Sequence, residues 1–399
     1  MKYNLTGRID TATAPVVDEQ IQEAIDKSAE AVTSLTFDCS ALDYISSTGL
    51  RIILKYKKLY PEFEVINVSN DVFSVFEMTG FSRIMTIKKA LRKINLGECQ
   101  LLAHGANGEV YKINDEEIVK LSLFAHAEVN LVKEMEMARE AFVMGVPTAI
   151  SFDTVEVSDG RTGIVMEALN STTLAQQLKE HPEQLDSFIE PYINLFRTTN
   201  SIVGAEGQFR DVKRELIKRL YVPQRFLDDA TTAVIGELAE ALPDGNRLVH
   251  CDGHPCNALI CGDGSTPNLM LIDMGDFGMG HPIMEILGWS FLMNGPDFSP
   301  ARFIAPRVLG LGYDFTRLLI RKMLACYLNI TDEATLDYAV EAAAYVGTLR
   351  LVILDMVRIK TEDKKARTRT MAAGIVEHKQ DVLDAIRFLT DLIDKQIIK

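Results

Sequence analysis

Two short stretches carry side chains suited to one kind of chemistry: Leu248-Val249-His250-Cys251-Asp252-Gly253-His254-Pro255-Cys256-Asn257 and Leu271-Ile272-Asp273-Met274-Gly275-Asp276-Phe277-Gly278. Moving a phosphoryl group from ATP to a hydroxyl needs a carboxylate that orients the attacking oxygen and accepts its proton. It also needs an amide and a second carboxylate to hold Mg2+ against the phosphates. Asp252 and Asn257 stand five apart, the spacing such a loop requires, and Asp273 supplies a second carboxylate after an apolar run. Asp276 is a further candidate on the same turn.

Groups that could meet the phosphates lie upstream. The run Ala103-His104-Gly105-Ala106-Asn107-Gly108-Glu109-Val110 fits G-x-G-x-x-G-x-V with Ala103 in the place of the first glycine. Backbone N–H groups of such a turn, at Gly105, Asn107 and Gly108, can approach an anion closely. Lys120 interrupts the apolar run Ile118-Val119-Lys120-Leu121, and a lysine there needs an anionic partner. Two other chemistries fit less well. His250, Cys251, His254, Cys256 and Cys261 suggest zinc by residue type, but no C-x-x-C pair occurs and the Asp and Asn oxygens suit Mg2+ better. A Ser-His-Asp hydrolase would need a G-x-S-x-G turn, and the chain has none.

His250, Asp252, His254 and Asn257 match the pattern His-Gly-Asp-x-His-x-x-Asn. By these residues the stretch from about Gln100 to Glu285 resembles the aminoglycoside phosphotransferase and choline kinase group of the kinase-like superfamily. The resemblance implies that Asp252 is the catalytic base, that Asn257 and Asp273 hold Mg2+, and that His250 and His254 brace the loop. It pairs Lys120 with Glu134 on the following helix, Glu136 and Glu140 being alternatives. It also places the backbone of Glu167 and Leu169 against adenine. Cys251 and Cys256 stand where that group commonly has glycine, which raises the question of a positive φ there.

The elements that must position these groups follow from periodicity. Three strands, at Cys99–Ala103, Val110–Ile113 and Ile118–Leu123, precede a helix at about Ala127–Met144, stopped by Gly145 and Pro147. Strands at Ala149–Val157 and Gly163–Glu167 flank the Asp159-Gly160 turn. From Leu174 the spacing is mainly helical, broken by strand-like Ala258–Cys261 and Leu269–Asp273, with helical core at Phe303–Leu328 and Tyr338–Val357. The basic residues Arg358, Lys360, Lys364, Lys365, Arg367 and Arg369 read as a solvated loop or helix face, with an anionic partner as the alternative.

Residues 1–94 alternate strands and helices: a strand near 2–9, a helix at Ala14–Ala31, and a strand at Val32–Phe37 before a loop at Asp38–Ser47. A helix at Thr48–Tyr60, a strand at Phe63–Val68, a helix at Asp71–Thr79 and a strand near Ile84–Ile87 complete the set. Lys88–Glu98 reads as a connector. The run Leu35–Leu50, with Leu5-Thr6-Gly7-Arg8-Ile9 and Phe76-Glu77-Met78-Thr79-Gly80-Phe81, resembles STAS domains, the anti-sigma-factor antagonist family. In that family the loop before this helix holds a phosphorylatable Ser or Thr, which implies Ser47 as a phosphosite. A phosphate there would meet the positive end of the helix dipole.

Composition narrows the classes. In 399 residues, 42 Lys and Arg face 56 Asp and Glu, and residues 1–95 hold 12 of each sign, so the whole −14 lies beyond them. Such a balance disfavours nucleic acid as a partner. No stretch approaches the roughly 20 apolar residues of a membrane span. Six scattered cysteines predict free thiols and a cytoplasmic setting.

The sequence thus predicts an α/β STAS-like domain (1–94) and an α+β two-lobed kinase-like domain, with a β-rich lobe (95–170) and a mainly helical lobe (171–399). The expected activity is ATP- and Mg2+-dependent transfer to the hydroxyl of a small molecule. The acidic charge beyond residue 95 points to a cationic or neutral acceptor, and a protein partner could dock through the first domain. Two alternatives stand beside it: a protein kinase acting on a STAS serine, its own or a partner's, and a non-catalytic nucleotide-gated scaffold.

Overall fold

The computed structural model describes the chain except for residues 29–30, 105–107, 124–127, 223–225, 263–267, 290–295, 297–308, 359–360 and 397–399, and the side chains of 128–130 and 358. The chain divides into two compact units, Met1–Leu96 with Thr154–Arg161, and Gly97–Asp153 with Thr162–Lys399.

In the first unit β1 (Lys2–Ile9), β2 (Ser34–Ile45), β3 (Glu62–Val68) and β4 (Thr86–Lys89) form a parallel sheet in that order. Parallel neighbours need crossovers, and α1 (Ala14–Asp26), α2 (Ser47–Leu59) and α3 (Asn70–Met78) supply them. Leu5, Ile21, Phe37, Ile53, Tyr56, Val65 and Phe76 are buried between sheet and helices. The expected loop at Asp38–Ser47 is instead strand as far as Ile45. Its backbone stays paired to β1 across two register shifts, with Cys39, Leu42 and Ile45 turned into the core. The expected connector holds the end of β4 and β5 (Arg92–Ile94), which pairs in parallel with Val155–Val157.

In the second unit β6 (Gln100–His104), β7 (Gly108–Lys112), β8 (Glu117–Ser122) and the last strand of this group, β10 (Thr162–Glu167), form an antiparallel sheet ordered β10-β8-β7-β6. Strand β9 (Ser151–Val157) precedes β10 in sequence. Helix α4 (Glu128–Val143) lays Leu131 and Met135 against Ile164 of β10, and Gly145, at φ 94°, turns the chain just past it.

The remainder is mainly helical: α5 (Leu174–Glu180), α6 (Leu185–Ser201), α7 (Val212–Lys218), α8 (Asp229–Glu240), α9 (Ile283–Gly288), α10 (Tyr313–Tyr327), α11 (Glu333–Arg358), α12 (Glu362–Glu377) and α13 (Lys379–Gln396). Trp289 sits at the centre of this core, edge-on to both Phe196 and Tyr327. Short strands interrupt it. Strand β11 (Ser171–Thr173) pairs with β13 (Ala258–Cys261), which pairs with β14 (Asn268–Leu271), and β12 (Arg247–Val249) pairs with β15 (Gly278–Gly280). Periodicity missed β11, β12 and β15, because three residues are too few to show a period of two. Helix α10 begins at Tyr313, and residues 303–308 of the expected helix lie outside the described residues, as does Lys360 of the basic cluster. Lys365 and Arg369 of that cluster lie on α12 over the Phe226 ring.

Candidate active site

Lys120, on β8, points its ammonium between two carboxylates: Nζ lies 2.7 Å from Glu134 Oε1 and 3.0 Å from Asp273 Oδ1. Strand, helix α4 and the turn after β14 therefore converge on one half-buried charge. Burial alone would lower the Lys120 ammonium, but Asp273 and Glu134 together hold it above the ordinary lysine range. Glu134 is pushed up by burial against the pull of Lys120. Asp273 is held low, because Lys120 outweighs the burial cost. Of the alternatives on α4, Glu136 is exposed and Glu140 accepts from Gln208 Nε2 at 2.7 Å.

The Asp252 loop is fixed through its backbone. His250 Nδ1 accepts the Asp252 N–H at 3.3 Å while its Nε2 faces Ile272 O at 3.0 Å. That pair of bonds assigns a neutral ring with the proton on Nε2, in keeping with the burial that lowers its pKa. The ring thereby ties the loop to the residue before Asp273. Asn257 Nδ2 donates to Asp252 O at 2.9 Å, and Ile272 N donates to Asn257 O at 2.9 Å. Asn257 thus spends its amide nitrogen on the loop and keeps its amide oxygen for another partner. Among the described residues Asp252 Oδ1 takes no hydrogen bond. Arg350 Nη2 lies 3.7 Å from Oδ1, and His254 Nε2 lies 3.9 Å from Oδ2.

Cys251 adopts φ 65° and Asp273 φ 64°, the left-handed region that costs most residues about 1 kcal/mol. The question raised by a non-glycine at 251 is therefore real. Cys256 lies in a right-handed turn, Pro255–Asn257, and shows no positive φ.

Sequence reasoning missed the residue that holds this strained loop. Glu285, fully buried at the start of α9, accepts the backbone N–H of His250 (2.8 Å) and of Cys251 (3.3 Å), and Asn200 Nδ2 at 3.1 Å. Burial pushes the Glu285 carboxyl up to about 7, against those three donors. Tyr327 OH donates to Asn200 Oδ1 at 2.8 Å, and Tyr192 OH donates to Gly253 O at 2.6 Å. A lone acidic residue inside the apolar run Ile283–Leu287 was the available signal, since an unpaired buried carboxylate is costly.

The other expected site residues fall as follows. Gly105 and Asn107 lie outside the described residues. Gly108 opens β7, where a Cβ would stand 2.5 Å from Leu121 O. The Glu167 N–H donates to Ile150 O, and its carboxylate accepts from Ile150 N at 2.7 Å. Leu169 O accepts from Ser171 Oγ at 3.2 Å. Asp276 faces away from Lys120, accepting from Arg219 Nη2 at 2.9 Å and from Arg350 Nη2 at 3.4 Å. Among the described residues no three His, Cys, Asp or Glu side chains group as metal ligands, and none of the six cysteines is in a disulfide. In the first unit, Ser46 caps α2, accepting from Thr48 N and Gly49 N, and Ser47 is exposed in the first turn.

Comparison with known proteins agrees with this organisation. The STAS domain matches residues 1–94, and the phosphotransferase enzyme family (APH) matches residues 98–319, more than half of the chain. The N-terminal part is 32% identical over 95 residues to the anti-sigma-B factor antagonist of Listeria monocytogenes, covering 23% of this chain and 81% of that protein. Among solved structures, ADP-bound aminoglycoside phosphotransferase APH(2'')-Ib is similar at 18% identity and TM-score 0.45, over 72% of this chain and 94% of that one. A choline/ethanolamine kinase family protein from Mesorhizobium loti is similar at 14% identity and TM-score 0.42, over 72% and 92%. Among the described residues no helix is long and apolar enough to cross a membrane. The chain belongs to the phosphotransferase enzyme family and bears a STAS domain ahead of it.

Proposed function

We propose that residues 96–399 transfer the γ-phosphoryl group of ATP, with Mg2+, to a hydroxyl of a small molecule, and that residues 1–94 are a docking or regulatory module. The observation that carries this reading is the Lys120 ammonium held between Glu134 and Asp273 beside a loop whose Asp252 carboxylate keeps an oxygen without a hydrogen bond among the described residues. Mg2+ would neutralise phosphate charge. The oxygen donors Asn257 Oδ1 and Asp273 suit such a hard cation.

The side chains divide the work. Lys120 presents positive charge where phosphates would sit, and its two carboxylate partners fix its direction. Asp252 orients the acceptor hydroxyl and takes its proton as the oxygen bonds to the γ-phosphorus; the bond to the bridging oxygen breaks and its electron pair leaves on ADP. His250, Asn257 and Glu285 hold the Asp252 backbone, so little reorganisation is needed at the moment of transfer. Asp252→Ala should abolish transfer while retaining nucleotide affinity, measured by product formation and by nucleotide titration. Equal activity in that variant would reject the role assigned to Asp252.

A second reading, favoured by the exposed Ser47 at the start of α2, is a protein kinase acting on that serine, in cis or on another STAS domain. Mass spectrometry after incubation with ATP and Mg2+ separates the two: phosphate on Ser47 that disappears in Asp252→Ala supports it.

A further inference from the structure

A small, open cleft of about 20 Å3 lies against the Asp252 loop, and its polar lining is rich in arginine in an otherwise acidic unit: Arg210, Arg219 and Arg350 line it with Asp276, Glu215 and Cys251. Each guanidinium is fixed. Arg350, 3% exposed, donates to Cys251 O at 2.6 Å and reaches Asp276 Oδ2 at 3.4 Å and Asp252 Oδ1 at 3.7 Å. Arg219 Nη2 donates to Asp276 Oδ1 at 2.9 Å. Arg210 donates from Nε to Phe277 O at 2.8 Å and from Nη2 to Gly275 O. Glu215 is drawn away, to Lys218 Nζ at 2.5 Å.

Asp276 is thus held by two of the three arginines, Arg219 and Arg350. Guanidinium groups held in this way need little further ordering to bind an oxyanion, and their planar forks match phosphate or carboxylate oxygens in pairs. The cleft borders Cys251, the residue before Asp252, and Arg350 spans the two. We propose that the acceptor carries an oxyanion group, phosphate or carboxylate, which this arginine cleft binds while its hydroxyl meets Asp252. This deepens the phosphotransferase reading and rests on it. It departs from the cationic or neutral acceptor that the overall charge suggests, because a local cluster sets the field in a cleft and the net charge does not.

The test is a pair of calorimetric titrations on the full chain. The first adds the non-hydrolysable ATP analogue AMP-PNP with Mg2+, which occupies the place of the γ-phosphate. The second adds inorganic phosphate to that saturated complex. Saturable phosphate binding is expected, weakened about tenfold in Arg219→Gln. It should strengthen severalfold in Asp276→Asn, where the internal competitor loses its charge. No nucleotide binding in the first titration overturns the phosphotransferase reading itself. Nucleotide binding without saturable phosphate binding overturns the cleft proposal alone, as does phosphate binding equal in wild type and both variants.

Discussion

Glu285 Oε1 accepts the backbone N–H of His250 at 2.8 Å from 35 residues away, so the loop that carries Asp252 is positioned by a buried carboxylate on the next helix. With Cys251 N and Asn200 Nδ2 as further donors, this one side chain satisfies backbone groups that the left-handed turn at Cys251 takes out of regular structure.

The carboxyl of Glu285 should give the fold a specific pH dependence. Its value in the folded chain is about 7 against an ordinary 4.5, so the native state binds more protons than the unfolded chain between those values. Stability from this group is therefore full below 4.5 and falls as pH rises towards 7, by about 3 kcal/mol in all. Glu285→Gln should flatten that slope, read as urea midpoints at about pH 5 and about pH 7.5. It should also reduce transfer about tenfold, since an amide offers fewer acceptors to the loop. A slope unchanged in the variant would place the proton elsewhere.

Removing Lys120 leaves two carboxylates facing each other. Lys120→Met should weaken nucleotide binding at least tenfold and cost about 2 kcal/mol, less than for a fully buried pair because the group is partly solvated. Asp273→Ala should instead abolish the Mg2+ dependence of nucleotide binding. Titration of nucleotide with and without Mg2+ distinguishes the two, and identical behaviour of both variants would contradict the separate roles.

Gly288 lets α9 approach the loop, since a Cβ there would stand 2.6 Å from both Cys251 C and Cys251 O. Backbone cannot yield as a flexible side chain can, so Gly288→Ala should cost about 2 kcal/mol and most of the activity. Thermal unfolding and a transfer assay check it.

At position 251 the order of tolerance should follow φ. Cys251→Gly relieves the left-handed strain and should keep activity, whereas Cys251→Val, β-branched, should lose about 2 kcal/mol and activity with it. Equal loss in both variants would mean that the thiol, not the backbone, matters there.

In the first unit, Ser46→Ala removes the hydroxyl that accepts from Thr48 N and Gly49 N. A loss of about 1 kcal/mol is expected, seen as a lower unfolding midpoint for residues 1–94 with that of the second unit unchanged. An unchanged midpoint would show that the cap contributes nothing.

The sequence by itself determined what local patterns can carry: the alternation of strands and helices through residues 1–94, the Asp252–Asn257 spacing, the lysine inside an apolar strand and the stop at Gly145. Those signals depend on neighbours in the chain, where periodicity and turn chemistry act. Tertiary structure alone decided that Lys120 lies between Glu134 and Asp273, which the family resemblance could name but not place, and that residues 38–45 pair as strand. It also decided that Glu285, Arg210, Arg219 and Arg350 converge on one loop, from helices and turns far apart in sequence. Burial and Coulomb energy depend on distance in space, and a linear reading contains no such distance.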